Sequence, residues 1–225
     1  MLGPRLEGRN GVELRPPRLE DVQAQFEWVA QPEVTRFWSP RHGEWTHEKA
    51  EERFKRFVEG EDAINWAIAY EGEAVGLTGI FDIDWIRRDG ESGLFIGRHD
   101  LYGRGIASEA VRLRTRFAWS HLRLHRVHNW IALQNRGSRR ANEKAGYEQI
   151  GLYKGYAYRS GHWLDDWMGE VFPERVFTRT ERPDTLSGPE EGGAESVPRD
   201  HSSEAFLPRP SGAQVPKTRG RKLHK

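Results

Sequence analysis

The sequence predicts an α/β fold, with a mixed and mostly antiparallel sheet of about six to seven strands flanked by about four helices. Apolar residues recur with a period of two in some segments and of about 3.6 in others, which is typical of interspersed strands and helices. Two strand-like runs, residues 65–70 and 74–81, are joined by a short turn containing Gly72, which is the pattern of a β-hairpin. The amphipathic segment after Gly105 has an apolar face wide enough to pack on a sheet.

The N-terminal elements follow from proline positions and apolar spacing. Residues 12–14 alternate like a short strand, which Pro16 and Pro17 end before a first helix. That helix is expected to bury Leu19, Val22, Phe26 and Val29. A second helix is expected after Thr46, with an apolar side consisting of Ala50, Phe54, Phe57 and Val58.

The C-terminal elements alternate in the same way. Residues 94–96 and 127–133 read as strands on either side of the long helix, and residues 147–172 as two closing strands. A short helix over residues 138–145 is expected to stop at Gly146. Four tryptophans are predicted to lie in the core: Trp66, Trp119, Trp130 and Trp167.

Composition limits the classes of function. The 225 residues carry 35 Lys and Arg against 34 Asp and Glu, so the net charge of +1 gives no general attraction to nucleic acid or anionic lipid. The absence of cysteine excludes disulfides, thiolate metal sites and a cysteine nucleophile. No apolar run has the length of a membrane span, and the first residues lack a signal-peptide core, so a cytoplasmic protein is expected.

Proline usage predicts where the folded domain ends. No proline occurs between Pro40 and Pro173, whereas six follow Thr178 among Gly, Ser, Glu and Arg. We therefore expect a folded domain over residues 1–176 and a disordered, charged tail over residues 177–225.

The segment Tyr102-Gly103-Arg104-Gly105-Ile106-Ala107, here called the glycine loop, lies between a strand and a long helix. Backbone N–H groups in such a turn can converge on phosphate oxygens, and the helix adds the positive end of its dipole. A dinucleotide fingerprint is a weaker interpretation, because no parallel strand ending in an acidic residue follows. Walker A is absent, and a tight turn without a ligand is the remaining alternative.

A second motif favours a cofactor over a simple turn. Asn135-x-x-Ser138 follows a strand, Asn135 can cap the next helix, and Lys144-Ala145-Gly146-Tyr147 ends that helix. With both motifs in this order, residues 11–173 resemble the GNAT acetyltransferase superfamily, in particular the branch that acetylates ribosomal-protein N-termini and the related antibiotic-modifying enzymes. Tyr102 departs from the Gln or Arg that is commonest at its position, which leaves the role of its side chain open.

The resemblance implies acetyl-CoA as cosubstrate, with no metal, across the gap between the strand at residues 94–97 and the strand at 127–133. By this resemblance the cofactor residues are Phe95, Ile96, Tyr102, Gly103, Arg104, Gly105, Ile106, Ala107, Asn135, Ser138 and Lys144. Ser138 matches the serine proposed in that branch to donate to the CoA sulfur, and its alternative is a hydrogen bond at the helix start. Asn135 is expected to orient the pantetheine amide or a water rather than to transfer a proton, since its side chain does not titrate.

Amine acetylation requires a group that accepts the proton of the amine. Glu91, at the entry to the cofactor strand, is the candidate base; the alternatives are an exposed carboxylate that closes a turn, or a water relay. Acidic and aromatic side chains are expected around the acceptor, namely Trp38, Asp82, Asp84 and Asp166. The alternative for the aspartates is a solvent-facing strand side. His121, His125 and His128 have ligand-like spacing, but the neighbouring arginines oppose a metal.

The predicted function is acetyl transfer from acetyl-CoA to a primary amine, either a protein N-terminus or a small molecule, by direct attack on the thioester. An antibiotic or other small-molecule N-acetyltransferase and a non-catalytic CoA-binding interaction protein are the alternatives. Apart from the amine acceptor, neither nucleic acid nor membrane is expected as a partner, and the chain is expected to be a monomer or homodimer.

Overall fold

The computed structural model describes residues 1–37, 47–159 and 161–173. The strands are β1 (Leu6–Glu7), β2 (Val12–Arg15), β3 (Ile64–Tyr70), β4 (Glu73–Asp84), β5 (Asp89–Ile96), β6 (Arg126–Ala132), β7 (Glu148–Arg159) and β8 (His162–Val171). The helices are α1 (Leu19–Val29), α2 (Pro32–Thr35), α3 (His47–Glu59), α4 (Ile106–Ser120) and α5 (Arg136–Glu143). All eight strands form one sheet in the order β1-β2-β3-β4-β5-β6-β8-β7.

The predicted α/β class and mostly antiparallel sheet are confirmed. The described residues contain one strand and one helix more than expected, because the two-residue β1 and the single-turn α2 are too short to show a period. The predicted domain boundary at residue 176 lies outside the described residues. Within the described part of the chain, no helix combines the length and the apolar character that crossing a membrane would need.

Helices cover both faces of the sheet. Thr78 on β4 faces α4, since its hydroxyl accepts a hydrogen bond from Arg114 at 2.7 Å. Phe95 on β5 faces the opposite side, where its ring lies 6.1 Å from that of Trp28 on α1. The α1 and α3 helices therefore form one layer, and α4 and α5 form the other.

The buried face of α1 differs from the predicted one. Val22 is fully buried as expected, but the other buried positions are Asp21, Gln25 and Trp28. The helix is rotated because the Asp21 carboxylate is held by the Arg15 guanidinium at 2.7 and 2.8 Å and by the Arg18 N–H at 2.7 Å. The contacts of Asp21, rather than the apolar pattern alone, thus determine which face of α1 is buried.

Asp21→Ala is expected to lower the free energy of unfolding by about 2–4 kcal/mol, because it leaves the half-buried Arg15 charge without its partner. Urea denaturation followed by circular dichroism measures the loss. Asp100→Ala is the matched control, since Asp100 forms a similar two-point pair with Arg98 on the surface and its loss should hardly move the midpoint. Equal destabilisation by both substitutions would contradict the prediction.

The sheet opens in its middle. β5 and β6 run parallel and are in register only from Asp89 opposite Arg126 to Glu91 opposite His128. Beyond these residues β5 continues along β4 to Ile96, and β6 continues along β8 to Ala132. The two strands therefore diverge toward their carboxyl ends, and a gap opens between them.

Candidate active site

The gap between β5 and β6, here called the slot, exposes one edge of β5 to a ligand. The Gly97 N–H donates to Val75 O on β4 at 2.8 Å. Because successive residues of a strand direct their N–H and C=O groups to opposite edges, Leu94 and Ile96 direct theirs into the slot. An extended molecule with amide groups can pair with this edge as an added strand would.

The glycine loop lies at the carboxyl end of β5, where the slot is widest. Gly103 and Gly105 both have a φ of +84°, and Gly105 is the N-cap of α4. The first hydrogen bond of that helix runs from the Glu109 N–H to Gly105 O. The N–H groups of residues 106–108, in the first turn of the helix, therefore have no partner within the helix. A Cβ atom at either glycine would meet nothing within 4 Å, so the loop is open to a ligand on that side.

Tyr102 connects the glycine loop to the slot. Its hydroxyl donates to the Ile96 carbonyl at 3.2 Å, while about half of its side chain remains exposed. The bond satisfies one of the slot's edge carbonyls and fixes the loop against the end of β5. The sequence left the role of this side chain open, because a contact between strand and loop side chain has no local signal.

Asn135 and Ser138 lie at the start of α5, beside the slot. The Asn135 side chain accepts the Ser138 N–H at 3.2 Å, so Asn135 caps the helix as predicted. The helix-start bond therefore uses the backbone of Ser138 and leaves its hydroxyl without a hydrogen-bond partner among the described residues. Helix α5 begins at Arg136, two residues before the predicted start, because the cap lies at Asn135.

Two polar networks that the sequence analysis missed connect the elements around the slot. The Asn129 side chain on β6 donates to Asn142 on α5 at 2.7 Å, and Asn142 donates to Ser138 O at 2.9 Å. At the point where the strands part, the Ser92 hydroxyl lies 3.0 Å from the Tyr147 hydroxyl. It also donates to the His128 carbonyl across the gap at 3.3 Å.

The remaining predicted cofactor residues are distributed around these groups. Ile96 packs at the α4 side of β5, and the Phe95 ring lies at the α1 side. Arg104 and Lys144 line a cavity beside Gly105. Ile106 is buried under the first turn of α4, with Ala107 half-buried next to it.

Glu91 occupies the apex of the slot, on the face opposite α4. It is the last residue of β5 that is paired with β6, and its side chain is half-buried. Burial raises the pKa of this carboxyl, the charge of Asp82 raises the pKa further, and a hydrogen bond from Trp130 opposes both. A carboxyl with a raised pKa in a cleft is suited to proton transfer.

Three aromatic rings lie on the same face as Glu91. The rings of Trp130 and Tyr156 are stacked with their centroids 6.0 Å apart, and Tyr153 lies 4.7 Å from Tyr156. Both tyrosines are about 40% exposed. Trp130 is therefore not a core residue as predicted; the other three tryptophans are fully buried. Alternation along β6 turns Trp130 away from the core and toward this cluster.

The predicted acidic residues separate into different environments. Asp166 is buried on β8 in register with Tyr153, and it acts with Glu91 to raise the pKa of Tyr156, although burial is the larger cause. Asp82 is exposed in a bulge of β4 with a φ of +48°. Asp84 accepts the N–H groups of Ile86 and Arg87, each at 2.9 Å, and so closes a turn. Trp38 lies outside the described residues.

We call the group formed by Glu91, Trp130, Tyr153, Tyr156 and the aspartates Asp82 and Asp166 the acceptor cluster. It combines negative charge with open aromatic faces, both of which attract a cationic amine. Burial and the positive charge of Arg126 lower the pKa of the neighbouring His128. Among the described residues no group of three or more His, Asp or Glu side chains could hold a metal ion.

The arrangement defines a class of protein. A glycine turn at a helix start, an open strand edge along the middle and a carboxyl at the apex fit a cofactor with a diphosphate, an amide-containing arm and a reactive end. Acetyl-CoA has these three parts, so the residues present fit the expected cosubstrate.

Comparisons with known proteins identify the family. Residues 12–148 match the family model described as "Acetyltransferase (GNAT) domain". In Bacillus subtilis (strain 168), "Putative ribosomal N-acetyltransferase YdaF" is 27% identical over 118 residues, 48% of this chain and 64% of that protein. From the same organism, "Probable N-acetyltransferase YjcK" is 40% identical over 63 residues, 28% of this chain and 35% of that protein.

A solved structure has a similar fold. The structure of Mycobacterium smegmatis RimJ in complex with CoA-disulfide superposes with a TM-score of 0.67 at 22% identity, covering 77% of this chain and 88% of that one. The chain belongs to the GNAT acetyltransferase family, whose members use acetyl-CoA. It spans less than two thirds of the length of the two curated relatives described above.

Proposed function

We propose that this protein transfers the acetyl group of acetyl-CoA to a cationic primary amine, and that the acceptor is the α-amine of a protein N-terminus. The observation that carries the proposal is the position of Glu91, at the apex of the slot and within the acceptor cluster. The N-terminal acceptor is supported by the resemblance to the branch that acetylates ribosomal proteins and by the similarity to YdaF.

Acetyl-CoA supplies an activated acetyl thioester. The glycine loop binds its diphosphate through backbone N–H groups, and the edge of β5 pairs with its amide arm. The acceptor cluster binds the amine as an ammonium group, through the carboxylates and the faces of Tyr153 and Tyr156. Glu91 then accepts a proton from the ammonium nitrogen, directly or through one water, which frees its lone pair for attack.

The chain completes the transfer on the other side of the slot. As the C–N bond forms and the C–S bond breaks, the attacking nitrogen loses its second proton to solvent, and the Ser138 hydroxyl donates a proton to the sulfur and regains one from solvent. Asn135 holds α5 in position for this step through its cap. The Ser138 hydroxyl is suited to the role because no described residue engages it.

A panel of acceptors tests the proposal. Purified protein is mixed with acetyl-CoA and one of three amines: a peptide whose only amine is its N-terminus, the same peptide with a blocked N-terminus and one lysine, or a linear polyamine. Thiol release and mass spectrometry report the product. We expect turnover with the first peptide; turnover with the polyamine alone would establish a small-molecule enzyme, and CoA binding without any turnover would contradict catalysis.

The acidic residues of the cluster give a sharper test. Asp82→Asn is expected to raise the acceptor KM about two- to fivefold, the size of an exposed charge interaction. The KM of acetyl-CoA should stay unchanged, because Asp82 lies near the start of β5, whereas the glycine loop follows its end. Asparagine also tolerates the positive φ at this position. Initial rates at low salt and in 1 M NaCl measure the effect, which screening should remove at high salt.

Asp84→Asn is the matched control for Asp82→Asn. It removes the same charge two residues away, but Arg87 already neutralises Asp84 at 3.0 Å. We therefore expect a smaller change in the acceptor KM. An acceptor KM that is unchanged in the Asp82 variant would remove Asp82 from the acceptor cluster.

A further inference from the structure

A basic cavity of about 260 Å³ lies between the N-terminal hairpin and the start of α4. Arg9 and Asn10 from the β1–β2 turn line one side, Arg104 and Gly105 from the glycine loop line another, and Lys144 at the end of α5 also lines it. Cavities that enclose whole drug-sized ligands span about 300–1,000 Å³, so this one suits a smaller fragment.

The cavity carries an excess of positive charge. Among the described residues that line it, Glu109 is the one acidic residue, and it accepts from the Arg112 guanidinium at 2.9 Å and from the Arg9 N–H at 2.8 Å. The hydrogen bond from Arg112 lowers the pKa of Glu109, so the carboxylate stays ionised. Arg104 and Lys144 form no ion pair with any described residue, and Arg9 interacts with Glu109 only at longer range.

Glu109 also holds Arg9 beside the glycine loop. Asn10 and Gly11 have φ values of +54° and +75°, so the hairpin turns tightly, and the Val12 N–H bonds back to Arg9 O at 3.1 Å. The bond from the Arg9 N–H to Glu109 holds this turn against α4. The Arg9 side chain is thereby brought to the glycine loop from 95 residues away in sequence.

We propose that Arg9, Arg104 and Lys144 bind a phosphomonoester, the 3′-phosphate of CoA, so that the N-terminal hairpin makes the protein select CoA over 3′-dephospho-CoA. The inference rests on the proposed binding of acetyl-CoA. The cavity shares Arg104 and Gly105 with the glycine loop, and the 3′-phosphate lies on the ribose next to the diphosphate. A phosphomonoester dianion matches three cationic side chains better than the neutral ribose hydroxyl of dephospho-CoA does.

Calorimetric titration with two ligands and three proteins tests the proposal. Wild type, Arg9→Gln and Arg5→Gln are each titrated with CoA and with 3′-dephospho-CoA at low salt. Wild type should bind CoA at least about tenfold more tightly, the size of one charge-assisted hydrogen bond. Arg9→Gln should lose most of that preference by weakening CoA alone, since glutamine keeps the backbone N–H that anchors the turn.

Arg5→Gln is the matched control. Arg5 is an exposed arginine of the same N-terminal segment, paired with Glu13 at 3.1 Å, and does not line the cavity. It should behave like wild type with both ligands. If Arg9→Gln weakens CoA and dephospho-CoA equally, or neither, the assignment of the 3′-phosphate is overturned.

The outcomes separate this inference from the proposed function. If wild type binds CoA and 3′-dephospho-CoA equally well, the proposed use of acetyl-CoA stands and only the proposed selectivity is contradicted. Wild type that binds neither contradicts the proposed cosubstrate itself. Titration with inorganic phosphate tests whether the cavity binds a free anion instead. Saturable phosphate binding that Arg9→Gln removes, together with equal affinity for CoA and 3′-dephospho-CoA, would assign the cavity to a free anion. That result would overturn the proposal.

Discussion

Gly105→Glu is expected to weaken acetyl-CoA binding by at least about 100-fold, which corresponds to about 2.7 kcal/mol of binding free energy. Gly105 lies between the β5 end and the first turn of α4, where the unpaired N–H groups point. A glutamate there places a carboxylate in the space expected for the diphosphate. The negative charge itself suits a helix N-terminus, so the fold should tolerate it. Calorimetry of the full chain measures the loss.

Backbone strain needs its own control, because a non-glycine residue at a φ of +84° costs about 1–2 kcal/mol. Gly72→Glu supplies it: Gly72 has a φ of +88° in the β3–β4 turn, and a Cβ atom there also meets nothing within 4 Å. Both variants thus carry the same strain and the same charge. We expect Gly72→Glu to bind acetyl-CoA normally. Loss of binding in both variants would attribute the effect to the fold, and normal binding by Gly105→Glu would place the diphosphate elsewhere.

The parts of the site that are local in sequence could be predicted from it. The glycine loop combines a strand end, two glycines and a helix start within a few residues, and the Asn135 cap uses an atom three residues from its partner. Such features need no knowledge of the tertiary structure. The same holds for most strands and for α4, whose apolar periods are long and regular.

The parts that depend on distant pairing could not be predicted. The acceptor cluster exists because β5 pairs with β6 for only three residues and because β7 pairs with β8, which brings Tyr156 near Glu91 from 65 residues away. The Ser92 and Tyr147 contact has the same origin. Trp130 illustrates the consequence: a tryptophan within a strand predicts burial, but the layer that it faces depends on the neighbouring strands.

The N-terminal hairpin left a signal that could have been used. Asn10-Gly11 is a strong turn dipeptide for a two-residue hairpin loop, and both residues have the positive φ that such a turn requires. The flanking strand β1 is only two residues long, however, so its alternation is invisible. The rotation of α1 had a weaker signal, since Asp21 lies six residues after Arg15 and their pairing depends on the bend between them.

Glu91→Gln is expected to lower kcat by about 10²- to 10⁴-fold, the usual contribution of a positioned general base. Glutamine keeps the size of the side chain and its place beside Trp130, but it cannot accept the proton of the ammonium group. Binding of acetyl-CoA should be unchanged, because Glu91 lies at the apex and the glycine loop at the open end. Glu73→Gln, at the exposed start of β4, is the matched control and should retain wild-type kcat.

The pH dependence distinguishes a base from a carboxylate that only shapes the cluster. Because burial and Asp82 raise the pKa of Glu91, wild-type activity should fall as the pH is lowered through that raised pKa. With the same acceptor, the Glu91→Gln variant should lack this loss of activity at low pH. It should keep only the pH dependence that comes from protonation of the acceptor amine. A loss of kcat below tenfold with the fall in activity at low pH intact would indicate that a water relay replaces the side chain.

The raised pKa of Glu91 also predicts how stability depends on pH. Stability should change with pH in the opposite direction to activity. Between the ordinary pKa of a glutamate in the unfolded chain and the raised pKa in the fold, the native state holds a proton that the unfolded state has released, so stability falls as the pH rises. Glu91→Gln removes this penalty. The variant should therefore be more stable than wild type at neutral pH, and the difference should vanish below the ordinary pKa of a glutamate side chain. Thermal unfolding at several pH values measures it. A variant that is slower in catalysis yet more stable at neutral pH is expected when burial holds a carboxyl for proton transfer, whereas lower stability at neutral pH would mean that Glu91 mainly supports the fold.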